Sequence, residues 1–190
     1  MAFAGCSLLP EPQVDTTRFF VLSTSATGSP AAPSANAPVV HLRQVELASY
    51  LRGRPIIVRR GDNEIEFRDF ARWGEPLDAG IARVLREELL AQGAARAVII
   101  PGVRAAGPAA TFDLSLRVLA CEGLADGGVN VRVVWQLSFA DAKSIAAARG
   151  DYRPTDLKWD GKNEASLASQ LSRAVAGLAG EIAAALEKQR

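Results

Sequence analysis

Two segments carry the clearest alternation of apolar and polar positions in the chain. Phe112, Leu114, Leu116, Val118 and Ala120 alternate with Thr111, Asp113, Ser115 and Arg117, and beyond the turn-rich "EGLADGG" the residues Val129, Val131, Val133, Trp135, Leu137 and Phe139 repeat the period. A period of two sends successive side chains to opposite faces of a strand, so this spacing predicts two neighbouring strands, each with one buried face. Upstream, "RPIIVRRGDNEIEFRDFARW" predicts a hairpin: Ile56, Ile57 and Val58 lead into a Gly61-Asp62-Asn63 turn, and Ile65 then alternates with Phe67. Shorter strands are predicted at "RFFVLS" (18–23), at "APVVHLRQVEL" (37–47), which runs into a helical turn at "ELASYL", and at the nearly all-apolar "ARAVIIP".

The period changes to that of a helix in two places. In "GEPLDAGIARVLREELLAQG" the residues Leu77, Ile81, Val84, Leu85 and Leu89 fall on one stripe, with Pro76 suited to an early helical position and Gly93 to the end. From Glu164 to Glu187 the residues Leu167, Leu171, Val175, Leu178, Ile182 and Leu186 keep the same spacing. Gly177 and Gly180 interrupt that second helix at a cost of about 1 kcal/mol each relative to Ala, and their small size suits close packing on a sheet. The fold class is therefore α+β, an antiparallel or mixed sheet with two main helices packed on one face. "TSATGSPAAPSANA" is too rich in Ser, Ala and Pro to build core and joins two strands. The excursion "DAKSIAAARGDYRPTDLKWDGKNE" lacks periodicity and leaves room for a short edge strand.

Composition narrows the function. Lys+Arg 22 against Asp+Glu 21 give a net charge of +1, which offers no electrostatic basis for nucleic-acid binding. No apolar run approaches the roughly 18 residues of a membrane-spanning helix. His41 is the only histidine and sits inside a predicted strand, so neither a serine-type triad nor a zinc site can be assembled, and no phosphate-binding glycine motif is present. Glu64 and Glu66 lie on one strand face and read as solvated. No catalytic, metal-ligating or cofactor-binding residues are assigned, and the chain is expected not to be an enzyme.

Three features remain. The opening "MAFAGCSLLPEPQ" places Cys6 behind Ala4 and Gly5, the small-small-Cys form of a lipoprotein processing site at which the cysteine thiol carries the lipid. Only "MAFAG" precedes it, shorter than the roughly 7–15 apolar residues of a signal peptide, so the chain as written is expected to stay unlipidated and soluble. Cys121, at the end of an apolar strand, reads as a packed free thiol. The second feature is "RWGEPL": Trp73 covers the core edge, Glu75 lies near the positive end of a helix, Pro76 fixes the first turn and Leu77 opens the apolar stripe, with a partner contact through Arg72 and its neighbours as the other reading. In the third, "GDYRPTDLKWDG", Tyr152 and Trp159 are either packed or exposed anchors for a partner. The expected organisation is a lipobox remnant and tether over residues 1–17, then one α+β domain over residues 18–190.

In order, the lipobox cysteine before "SLLPEP", the aromatic strand "RFFVL", the stretch "VELASYLRGRPIIVRR", the helix opened by "RWGEPL", the alternating strand pair and the final Leu/Ala helix resemble the ABC-type transport auxiliary lipoproteins, the family of paraquat-inducible protein C (PqiC). The resemblance is most specific between Val45 and Leu77. It implies a non-enzymatic periplasmic lipoprotein held through Cys6, serving an MCE (mammalian cell entry) transport system that moves lipid between the inner and outer membranes. Ser7 after the cysteine implies sorting to the outer membrane, and the implied partners are the system's MCE-domain protein and further copies of the chain in a homo-oligomeric ring. The alternative from another class is a periplasmic binding protein that encloses a small apolar ligand between helices and sheet.

Overall fold

A computed structural model of the protein describes residues 14–25, 32–33, 36–101, 111–140 and 146–189. Nine strands and two α-helices lie among them: β1 (Arg18–Phe20), β2 (Val39–Leu42), β3 (Glu46–Leu47), β4 (Pro55–Gly61), β5 (Glu64–Trp73), α1 (Leu77–Ala91), β6 (Ala97–Ile99), β7 (Phe112–Leu124), β8 (Val129–Phe139), β9 (Ala146–Tyr152) and α2 (Glu164–Glu187). A short 3-10 helix, Ser49–Arg52, follows β3 where the helical turn was expected.

The two alternating segments form the centre of the sheet. β7 pairs with β8 antiparallel over its whole length, from Phe112 opposite Phe139 to Gly123 opposite Val129. The other edge of β7 is shared in sequence by three parallel neighbours: β2 alongside residues 112–114, β3 alongside 117–118 and β4 alongside 123–124. β4 and β5 form the predicted hairpin, β1 adds in parallel to β5, and β6 adds in parallel to β2. On the far side β9, lying in the excursion, pairs antiparallel with β8. The sheet is therefore mixed, and the two helices lie side by side on one of its faces.

One detail of the strand alternation differs from expectation. A bulge at Leu119 changes the register between Val118 and Ala120, so that Cys121 stands opposite Val131 and Ala120 opposite Arg132. The extra residue exchanges the two faces. Cys121 thus joins the helix-covered core, while Ala120 and Glu122 face the other way.

Local chemistry ends the helices where the sequence suggested. Gly93 takes φ 64°, and the amides of Gly93 and Ala94 donate to the carbonyls of Leu90 and Leu89, a Schellman closure of α1. Pro76 differs: it is the N-cap residue (φ −55°, ψ 135°), one position before the helix. The N-cap of α2 is Asn163, whose Oδ1 accepts from the Ala165 amide at 3.0 Å. The predicted stripe of α2 is buried from Leu167 to Leu186, each Leu or Ile contributing about 1.5–3 kcal/mol relative to exposure. Of its two glycines, Gly177 faces the Tyr152 hydroxyl so closely that a Cβ there would force the Tyr152 side chain to shift, whereas Gly180 has nothing within 4 Å.

Candidate functional site

The "RWGEPL" segment is a corner at which three elements meet. The Trp73 amide donates to Arg54 O at 2.7 Å, and the Gly74 amide to Phe20 O at 2.7 Å, so the end of β5 is tied both to the start of β4 and to β1. Trp73 and Leu77 are buried in the core. The Glu75 carboxylate turns back toward α1, where it accepts from Arg83 Nη2 at 2.6 Å and lies against Gly80. This hydrogen bond from Arg83, more than any other interaction, raises that guanidinium's pKa. The same Nη2 reaches Leu22 O at 2.8 Å. Pro76 is exposed, and so is Arg72, which donates to Asp69 O at 3.3 Å.

The segment just after β1 is fixed to α1 by a buried carboxylate and to α2 by a serine hydroxyl. Glu88 Oε1 accepts from Thr24 Oγ1 (2.8 Å), the Ser25 amide (2.6 Å) and Ser25 Oγ (2.9 Å), while Ser172 Oγ of α2 accepts from the Ser23 amide at 3.0 Å. Glu88 falls on the apolar stripe of α1, beside Val84, Leu85 and Leu89. A carboxylate at that spacing was the available signal for a buried acceptor. The chain segment entering the domain is thus held at a fixed place. Cys6, upstream, lies outside the described residues.

A second buried carboxylate occupies the sheet face opposite the helices. Glu122 is 0 % exposed and accepts from Arg59 Nε at 2.6 Å, Tyr50 Oη at 2.6 Å and Asn130 Nδ2 at 3.0 Å. Burial, followed by the hydrogen bond to Glu122, drives the Tyr50 hydroxyl well above its ordinary pKa. The cluster joins the 3-10 helix, β4, β7 and β8. Sequence reasoning passed over it because the bulge at Leu119 hides which face Glu122 takes. The neighbouring Cys121 is a free buried thiol, its pKa pushed up to about 12 by burial.

The excursion supplies no exposed tryptophan anchor. Trp159 is 5 % exposed, stacks against Gly123 and donates its indole N–H to Leu124 O at 3.1 Å, so of the two readings left open for it the packed one holds. Its position follows from the bridge between Gly128 and Lys158, which folds the excursion back over the end of β7. Tyr152 is half-buried and packs against the core beside Gly177. On the open face of β8 and β9, Asp151 sits between Arg153 and Arg132, whose hydrogen bonds, that from Arg153 first, hold its carboxyl well below the usual range.

His41 Nδ1 lies 3.2 Å from Asp113 Oδ1 because the two are register partners on β2 and β7, and Arg43 Nη2 holds the other oxygen at 2.7 Å. Among the described residues no three His, Cys, Asp or Glu side chains are grouped to hold a metal ion, and no helix is long and apolar enough to cross a membrane. Apart from the buried Arg68 Nε, which has no hydrogen-bond partner, the polar groups described above are partnered within the fold, and an exposed apolar edge lies at β1 and β5, where Phe19 and Phe70 stand 65 % and 63 % exposed.

Comparison with known proteins gives the fold and the family. A crystal structure of an uncharacterized protein is similar over 89 % of this chain and 97 % of its own, with 16 % identity and a TM-score of 0.70. A Xanthomonas campestris protein of the DUF330 family is similar over 88 % and 93 %, with 15 % identity and a TM-score of 0.72. A PelC dodecamer subunit from Paraburkholderia phytofirmans covers 83 % and 93 % at 16 % identity, but with a TM-score of 0.41 it carries no argument. Identities this low establish shared architecture alone. No curated protein matches the sequence. The family described as ABC-type transport auxiliary lipoprotein component matches residues 20–183, from β1 almost to the end of α2, and the chain belongs to that family.

Proposed function

We propose that the protein is a non-enzymatic accessory of an MCE-type transport system, anchored through Cys6 to the periplasmic face of the outer membrane and docking the system's MCE-domain protein during lipid movement between the membranes. The observation that carries this is the family match over residues 20–183, with a small-small-Cys site 14 residues upstream of its start. The polar chemistry supports the same reading, since Glu75, Glu88 and Glu122 are each engaged in joining elements. The alternative of an apolar ligand enclosed between helices and sheet gains no support, because Leu114, Leu137, Leu171 and Leu178 fill that space. A homo-oligomer forms part of the proposal: an accessory that meets a ring-forming partner gains from several weak contacts made together. With Trp159 buried, the open edge of β9 replaces the excursion loop as the place for a contact between copies.

The test is metabolic labelling. The chain is expressed behind a lipoprotein signal sequence in cells fed an alkyne fatty acid. Labelling of the wild type and its loss in Cys6→Ser is the expected outcome. Equal labelling of both would remove the anchor from the account.

A further inference from the structure

Exposed large apolar side chains are concentrated at one edge of the molecule. Among the described residues they are Val14, Phe19, Val21, Phe67, Phe70 and Val134, and all but Val134 belong to the segment around β1 or to its neighbour β5. The concentration follows from local geometry. Phe20 and Leu22 pack inward, so Phe19 and Val21, one residue out of phase, point outward at 65 % and 55 % exposure. β1 runs parallel to β5 with Phe19 opposite Arg72 and Arg18 opposite Ala71, which brings Phe70 to the same edge. The irregular pairing between Pro55 and Ile56 leaves residues 69–71 of β5 without partners on β4, and Phe70 stands in that stretch. Around these side chains Arg54 and Arg72 donate to the carbonyls of Gly74 and Asp69, and Arg72 also lies near enough to the Asp15 carboxyl to help the Thr17 hydrogen bonds lower its pKa.

We propose that this β1–β5 edge, centred on Phe19, Val21 and Phe70 with Arg54 and Arg72 beside it, is a membrane-docking surface that rests on phospholipid headgroups. The proposal deepens the reading of Cys6 as the anchor. Cys6 and Phe19 are 13 residue steps apart, a reach of roughly 45 Å when extended, and the edge is where the described chain begins. A lipid on Cys6 therefore holds this edge at high effective concentration beside the bilayer, where weak contacts suffice. Apolar side chains then enter the headgroup boundary and the guanidinium groups meet phosphate oxygens. A second copy is the less suitable occupant. A ring contact joins two different patches, and the one exposed large apolar side chain elsewhere among the described residues is Val134, at 38 %.

The test uses the full chain coupled through Cys6 to maleimide-headgroup lipid in vesicles of phosphatidylethanolamine and phosphatidylglycerol. Cys121 is buried and does not compete for the coupling. Phe19→Trp, Phe70→Trp and Val134→Trp each introduce an indole at an exposed position, and quenching by brominated lipid is measured above the background from the buried Trp73, Trp135 and Trp159. Several-fold stronger quenching at positions 19 and 70 than at 134, with blue-shifted emission, is the expected result. Equal quenching at all three positions would overturn the proposal. So would blue-shifted emission at 19 and 70 without vesicles, accompanied by concentration-dependent dimers in light scattering, since the edge would then belong to a second copy. Because the tether here is chemical, failure leaves the acylation of Cys6 in cells untouched.

Discussion

Replacing Arg59 by Leu leaves the Glu122 carboxylate at zero exposure without its cation, retaining only the Tyr50 hydroxyl at 2.6 Å and the Asn130 amide at 3.0 Å. Removing one partner of a buried ion pair costs about 3–5 kcal/mol, because the charge left behind cannot be hydrated. For a chain of this size each kcal/mol lowers the melting temperature by roughly 2–4 °C, so Arg59→Leu is expected to melt some 6–20 °C lower. Glu122→Leu removes the buried charge instead. Arg59 then keeps its bond to Asp62 O at 2.9 Å and its access to water, and Tyr50 keeps Leu119 O at 3.2 Å. An apolar replacement of both partners is frequently close to neutral. The expected order of stability is therefore wild type, then Glu122→Leu and the double variant close together, and Arg59→Leu last. Urea titrations of the four proteins form a double-mutant cycle whose coupling energy is read directly. Additivity of the two substitutions, or a Glu122→Leu variant less stable than Arg59→Leu, would refute the reasoning.

Further outcomes follow from other parts of the fold. Trp73→Ala empties a buried site where α1 begins and should cost about 3–5 kcal/mol in thermal or urea melts; unchanged melting with lost partner binding would make Trp73 a contact residue instead. Gly150→Ala places a Cβ 2.5 Å from Trp135 Nε1 and 2.6 Å from Glu181 Oε1, which breaks their 2.7 Å hydrogen bond; it should destabilise by about 1–3 kcal/mol and shift tryptophan emission, and wild-type melting would contradict it. Alkaline pH weakens the fold through Cys121, whose thiol moves from its ordinary 9.0 to about 12 in the folded chain. A folded pKa above the unfolded one gives stability that is complete below pH 9 and is lost as pH rises, at about 1.4 kcal/mol per unit. Tyr50 adds a second loss that begins near its ordinary 10.0, so Cys121→Ala should move the onset of alkaline unfolding from about pH 9 to about pH 10 in pH-dependent melts.

How much of this was legible in the sequence depends on the range of the interaction. The alternation in β7 and β8 and the stripes of α1 and α2 are local periodicities, and they appear in the fold where the residues place them. The Leu119 bulge is not periodic, so nothing in "RVLACEGL" distinguishes the face of Ala120 from that of Cys121, and the Glu122 cluster behind it depends on residues 63 and 72 positions away. The aperiodic stretch around Trp159 leaves packing and exposure equally open. The burial of Trp159 comes from Gly123, 36 positions earlier, which leaves room for the indole beside Leu167. The exposed edge had a visible counterpart in "RFFVL", since consecutive aromatics in a strand cannot share one face, but which of them points outward is decided by pairing with β5.

The central claim is that this chain acts by docking an MCE-domain protein rather than by chemistry of its own. Multi-angle light scattering of the purified chain mixed with the MCE-domain protein of its own transport system tests it most directly. The account predicts a complex whose mass contains several copies of the chain. Two unchanged peaks across the accessible concentration range, the chain a strict monomer and the MCE protein at its mass alone, would contradict it.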